Sequence, residues 1–259
     1  MEPDAEQVPS ALAALVRDGV LDAELAALVW LAFDAGVPLV AAGEPAAARA
    51  AVRDAVAALA EGHRPLVRLA GDAETFAWMP EASELGWHAD GQAATANAAR
   101  GTVMVADLVP VAADASVATW GEHARLAIRA LTAGYGLAAT AGGDRLEDVL
   151  GRLSSPPVDA IDDELTRLGI VLVLGPDAGG RNRVRAAHYL RPVSRDVQGH
   201  VQRLAPAVLA TWSDKSGRFD HFAWGVMDEL AGRAGVRPLA FEREQAVRAG
   251  RLAGAARAI

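Results

Sequence analysis

Apolar residues at Leu25, Leu28, Val29, Ala32 and Phe33 recur at the spacing of one helix face. Asp22 is placed to cap that helix and Gly36 to end it. The period then changes. Residues 37–43, Val-Pro-Leu-Val-Ala-Ala-Gly, form the short continuous apolar run of a buried strand, its proline at the tolerated start. An alanine-rich helix is expected over residues 45–61, stopping at Gly62, and a second strand over 65–70. Residues 102–107, Thr-Val-Met-Val-Ala-Asp, predict a third strand that ends in an acid. A helix over 120–133, a strand over 136–141 and a strand over 169–174 follow. Residues 183–190 read as an antiparallel strand at a sheet edge, and from about Trp224 the chain reads as two helices with Pro238 between them.

Short apolar strands alternating with helices predict an α/β three-layer sandwich with a mainly parallel sheet. Residues 1–35 are expected to pack as a helical segment on a domain formed by 36–259. The loop at Ser154-Ser155-Pro156-Pro157 and the glycine-rich turn at 175–182 are too short to separate domains.

Composition narrows the function classes. The 259 residues contain no cysteine, which excludes disulfides and thiolate metal sites. A net charge of −8 argues against a nucleic-acid footprint. The basic run Arg181-Asn182-Arg183-Val184-Arg185 alternates as the solvated face of a strand does. The acidic stretch Met1-Glu2-Pro3-Asp4-Ala5-Glu6 is the opposite of a signal peptide, and no apolar run spans a bilayer, so a cytoplasmic protein is expected. His63, His88, His123, His188, His200 and His221 show no metal-ligand spacing, and no Gly-x-Ser-x-Gly elbow is present. Trp78, Trp87 and Trp120 suit core or interface anchors, and Trp212 a place at the sheet edge.

The turn after the first strand is the place where phosphate loops sit, because backbone N–H groups and a helix start hold anions there. Setting Gly43 on the first glycine of G-x-x-x-x-G-K-[ST] puts Ala48 at the second glycine, Arg49 at the lysine and Ala50 at the Mg²⁺-holding hydroxyl. Glu44 adds negative charge and Pro45 removes an N–H donor. The one lysine, Lys215, lies too far away to restore the motif in another register. Each missing charge-assisted hydrogen bond is worth about 1.5–3 kcal/mol. The absence of two or three weakens nucleotide binding by roughly three orders of magnitude or more.

The surrounding motifs come in a telling order. Residues 101–108 form an apolar strand ending at Asp107. Leu69-Ala70-Gly71-Asp72-Ala73-Glu74 precedes it. After it comes a helix, a Thr132-Ala133-Gly134 turn and a strand running to Ala139-Thr140-Ala141-Gly142-Gly143-Asp144. From about residue 9 to 175 the chain resembles the motor ATPases of bacterial type II/type IV secretion and type IV pilus machines. Asp107 matches the family's Walker B strand but is one methylene shorter than its usual glutamate. Asp72 and Glu74 match its acidic box, with Gly71 at the first acid, and Gly142 stands at the histidine of its histidine box.

The resemblance implies a RecA-like P-loop NTPase fold and a cytoplasmic ring driven by ATP. It implies vestigial catalytic roles for Asp107, Glu74 and Asp72, and a degenerate nucleotide loop at Gly43, Ala48, Arg49 and Ala50. Asp72 and Glu74 fit equally well as loop acids that cap a helix. With so many positions altered, the expectation is a structural or regulatory subunit that binds ATP weakly or not at all. It would act in a homo- or hetero-oligomer, a ring beside an active paralogue in a secretion or pilus machine at the inner membrane. No resident cofactor or metal is expected; ATP and Mg²⁺ enter only if the site still functions. Two rival readings stay open: an ATPase working through Arg49 and Asp107, and an α/β interaction module without nucleotide.

Overall fold

The computed structural model describes residues 8–88, 100–110, 117–195, 198 and 200–258. Residues 1–7 of the N-terminal segment lie outside that set. The elements in chain order begin with α1 (Ser10–Arg17), α2 (Ala23–Asp34), β1 (Leu39–Gly43), α3 (Ala46–Ala57), β2 (Leu66–Arg68) and β3 (Val103–Leu108). Then come α4 (Glu122–Ala130), β4 (Gly136–Ala141), α5 (Leu146–Ser154), α6 (Asp162–Leu165), β5 (Ile170–Pro176) and β6 (Asn182–Tyr189). A small pair, β7 (Ser194–Arg195) and β8 (Val201–Gln202), stands apart. β9 (Ala207–Ser213), β10 (Arg218–His221), α7 (Met227–Arg233) and α8 (Pro238–Ala258) complete the chain.

The main sheet has eight strands in the order β10-β9-β6-β5-β1-β4-β3-β2. Strands β2, β3, β4, β1 and β5 run parallel, and β6, β9 and β10 continue antiparallel from β5. The alternation of side chains along each strand divides the interior into two cores. Leu39, Ala41, Val103, Val105, Ala138 and Leu172 face one core, shared with α1, α2, α3, α7 and α8. Val40, Ala42, Met104, Leu137, Ala139 and Val171 face the other, shared with α4, α5 and α6. Helices therefore cover both faces of the sheet, and both faces of the parallel strands are apolar, as such a sheet requires.

Asp22 caps α2 as its sequence position implies: its Oδ1 accepts the Leu25 N–H at 2.9 Å. The helix is not the one-sided amphipath that its spacing suggests. Residues 25–33 are all buried, because α8 closes over it. The Arg248 guanidinium lies 4.2 Å over the Trp30 ring and bonds Asp34 at 2.6 Å.

Two expectations are corrected. The strand β6 is antiparallel but not at an edge, since β9 and β10 extend the sheet beyond it. The alternating arginines do not form a solvated face either. Arg183 is buried, donates to Asp177 at 2.6 Å and lies 4.1 Å over the Trp212 ring. The register slips there: Val173 pairs with Ala186 and Leu174 with Val184, so Arg185 is an extra residue in β6. Arg185 pairs instead with the exposed Asp214 at 2.6 Å.

Candidate functional site

Strand β1 lies between β4 and β5, and all five of its residues are buried. Its last residue, Gly43, has φ +93°, and a Cβ there would fall 1.9 Å from the Leu174 carbonyl oxygen of β5. Only glycine permits this close approach. Just two residues, Glu44 and Pro45, then separate β1 from α3. The N–H groups of Ala48 and Arg49 already bond the Pro45 carbonyl, at 3.0 and 3.2 Å. The segment from Gly43 to Ala50 is thus a tight turn into a helix, not a loop that encircles an anion.

A cavity of about 610 Å³ opens over this turn, at the C-terminal ends of β1, β3 and β4. Crevices at the carboxyl ends of parallel strands are where α/β sheets bind ligands. The cavity brings together Glu44, Arg49, Arg53, Asp107, Thr140 and Arg152, with Ala46, Ala47, Ala50 and Gly142 also on its wall. Ala48 packs against the core of its helix layer.

Most of the polar groups here are held by another. Arg49 is only 8% exposed; it donates to the Gly43 carbonyl and pairs with Glu44 at 3.1 Å. One turn further along α3, Arg53 donates to Asp107 and to Asp54, the latter at 3.1 Å from Nε. Asp107 sits opposite Thr140 in the parallel register of β3 and β4. The Thr140 hydroxyl donates to Asp107 Oδ1 at 2.6 Å, the same oxygen that Arg53 engages. Behind it, the Thr119 N–H donates to the Asp107 carbonyl at 2.7 Å, fixing the strand end.

The acidic-box residues take a different place. Asp72 is exposed on a short 3₁₀ turn, Gly71–Ala73. Glu74 is buried, and its carboxylate accepts four N–H groups: from Ala70 (3.0 Å), Thr75 (3.0 Å), Phe76 (2.8 Å) and the Trp78 indole (3.1 Å). It organises the turn rather than facing the cavity. A side chain at Gly71 would run into the Ala118 carbonyl, 2.9 Å from the Cβ position. Trp78 and Trp87 flank Phe76 in an aromatic cluster, as anchors would. Among the described residues, no group of three or more His, Asp or Glu could hold a metal ion.

Arg53 and Arg152 were not singled out by the motifs, and Thr140 lay in the stretch before Gly142 without a role of its own. Arg53 has a signal: it follows Arg49 by four residues on a helix and so shares its face. Arg152 has none. Its guanidinium comes to the cavity from α5, 3.1 Å from where a Cβ on Gly142 would lie. Compared with known proteins, the chain matches no family model, and no curated protein resembles it significantly.

Proposed function

We propose that this chain is a RecA-like homologue of the secretion and pilus P-loop ATPases whose nucleotide site has lost hydrolysis, and that it serves as a structural or regulatory subunit. Its setting on this reading is an oligomer beside an active paralogue, peripheral to an inner-membrane machine. Among the described residues, no helix is long and apolar enough to cross a membrane. In support of the ancestry, the turn after β1 and the acid at the end of β3 meet at one cavity with β4 between them.

One observation carries the inactive reading. The two arginines that α3 brings to the cavity, Arg49 and Arg53, are paired with Glu44 and Asp107, and the hydroxyl position is the methyl of Ala50. Arg49 is turned back onto Gly43 and Glu44, so it does not extend to a γ-phosphate. Arg53 lies on the carboxylate that a Mg²⁺ ion would need. An ATPase working through Arg49 and Asp107 would have to break both pairs.

The interaction-module reading is favoured by one feature, the two-residue link from β1 to α3, which is too short to wrap a phosphate. Calorimetric titration with MgATP and a phosphate-release assay test the proposal. No turnover is expected, and micromolar binding with phosphate release overturns it. The triple variant Ala48→Gly, Arg49→Lys, Ala50→Thr separates the two readings. MgATP binding appears in it if the turn descends from a phosphate loop and stays absent if it does not.

A further inference from the structure

We propose that the cavity above α3 is a guanidinium-lined site for a diphosphate-bearing anion that binds without a divalent cation, with Glu44 as its built-in competitor. The inference rests on reading this cavity as a former nucleotide site and concerns what that site now takes.

The chemistry excludes the metal first. A divalent cation of the magnesium type needs oxygen ligands. Ala50 offers none, and Asp107 Oδ1 already accepts from Thr140 and from Arg53. Arg53 is a fixed positive charge, its side chain only 11% exposed, at the carboxylate that would otherwise recruit the ion. Asp107 is therefore already neutralised by a fixed guanidinium, and a divalent cation approaching it meets the repulsion of Arg53.

The charge balance then selects an anion. On the cavity wall Arg49 is matched by Glu44 and Arg53 by Asp107, while Asp54, off that wall, is shared between Arg53 and Arg68. Arg152 is the surplus: among the described residues it forms no ion pair, and it projects into the cavity beside Gly142. Two further features favour an anion. Arg49 is nine-tenths buried on the cavity wall, so its charge is weakly screened by solvent. α3 begins at Ala46 and Ala47, both on the cavity wall, with no capping side chain at Pro45. At about 610 Å³ the space suits a small phosphorylated molecule.

Glu44 is the group such a ligand must displace. Its side chain is 69% exposed, yet it lies 3.1 Å from Arg49, in the place of an incoming phosphate oxygen. An exposed carboxylate leaves at little cost, so it tunes affinity without blocking the site.

Calorimetry with inorganic pyrophosphate and with ADP, each in EDTA and then in excess Mg²⁺, tests the proposal on wild type, Glu44→Ala, Arg152→Ala and the control Arg251→Ala. The three side chains are exposed, so each variant keeps the fold. Binding in EDTA is expected, tightened about fivefold by Glu44→Ala, weakened about threefold by Arg152→Ala and unchanged in Arg251→Ala. Tighter binding of ADP than of pyrophosphate marks a nucleotide as the source of the anion; equal binding marks the free diphosphate. Silence of both probes in EDTA, a strict need for Mg²⁺, or Arg152→Ala indistinguishable from wild type overturns the inference. None of these outcomes involves turnover, so the inactive reading stands or falls separately, on phosphate release from MgATP.

Discussion

Replacing Gly43 by alanine tests whether the β1–β5 contact, on which the placement of α3 depends, is as close as described. Two costs add. The backbone at φ +93° is disfavoured for an L-residue by about 1–2 kcal/mol. The new Cβ would also sit 1.9 Å from the Leu174 carbonyl oxygen, a backbone atom with no flexible end to yield. To reach even a 3.0 Å separation, β1 and β5 must part by the difference of 1.1 Å. That disturbs a register running from Leu39–Ile170 to Gly43–Leu174. Overpacking of this kind costs about 3 kcal/mol, so the total is about 4–5 kcal/mol. In urea, with a slope of about 3 kcal/mol/M, the midpoint should fall by roughly 1.5 M. Gly62→Ala is the internal control. Gly62 has φ +81° but nothing within 4 Å of a Cβ, so it carries only the backbone cost, a fall of roughly 0.5 M. Equal midpoint shifts for the two variants, followed by circular dichroism, would refute the steric argument.

Other expectations follow from single contacts. Burial pulls the pKa of His221 down, but Asp22 at 2.8 Å from Nε2, Glu24 at 3.7 Å and Asp220 together outweigh it and raise the value above the ordinary one. A raised folded value means the stabilisation is complete below about pH 6 and is lost as pH rises through that value. The urea midpoint of wild type should therefore exceed that of His221→Gln most at about pH 5 and least at about pH 9; a pH-independent gap would argue against the ion pair. Glu74→Ala orphans four N–H donors and should cost about 2–4 kcal/mol, with Glu74→Gln recovering part of it; denaturant melts in which both variants match wild type would count against this role. Finally, millimolar MgATP should raise the melting temperature of wild type far less than pyrophosphate in EDTA does, since stabilisation of the folded state requires binding to it; equal shifts would count against the loss of the Mg²⁺ position.

The parallel half of the sheet was legible because it is buried on both faces. Its strands read as continuous apolar runs: the strand expected over 136–141 is β4, residue for residue, and 102–107 differs from β3 by one position at each end. The hairpin of β9 and β10 was not legible. Its residues, Ala-Val-Leu-Ala-Thr-Trp-Ser and Arg-Phe-Asp-His, are mixed and half exposed, so no long-range period marks them. Missing them turned β6 into an edge strand and Arg183 into a surface residue. The site was legible in outline. Arg49, Ala50, Asp107 and Gly142 do converge on one cavity, because a parallel sheet carries the ends of β1, β3 and β4 to the same side. Glu74 could not be separated from the cavity by sequence, because a carboxylate that caps a turn and one that awaits a ligand look alike until their donors are counted. The pairs that neutralise the arginines were also out of reach, since Arg53 and Asp107 are 54 residues apart.

The closure of α8 over α2 joins groups 214 residues apart, Arg248 and Asp34. A nascent chain leaving the ribosome therefore makes the apolar α2 long before its cover exists. Trp30 and its neighbours must stay shielded by other means until α8 has emerged, so a stall before Pro238 should yield a sticky product that a chaperone recognises, whereas one after Ala258 has emerged should not.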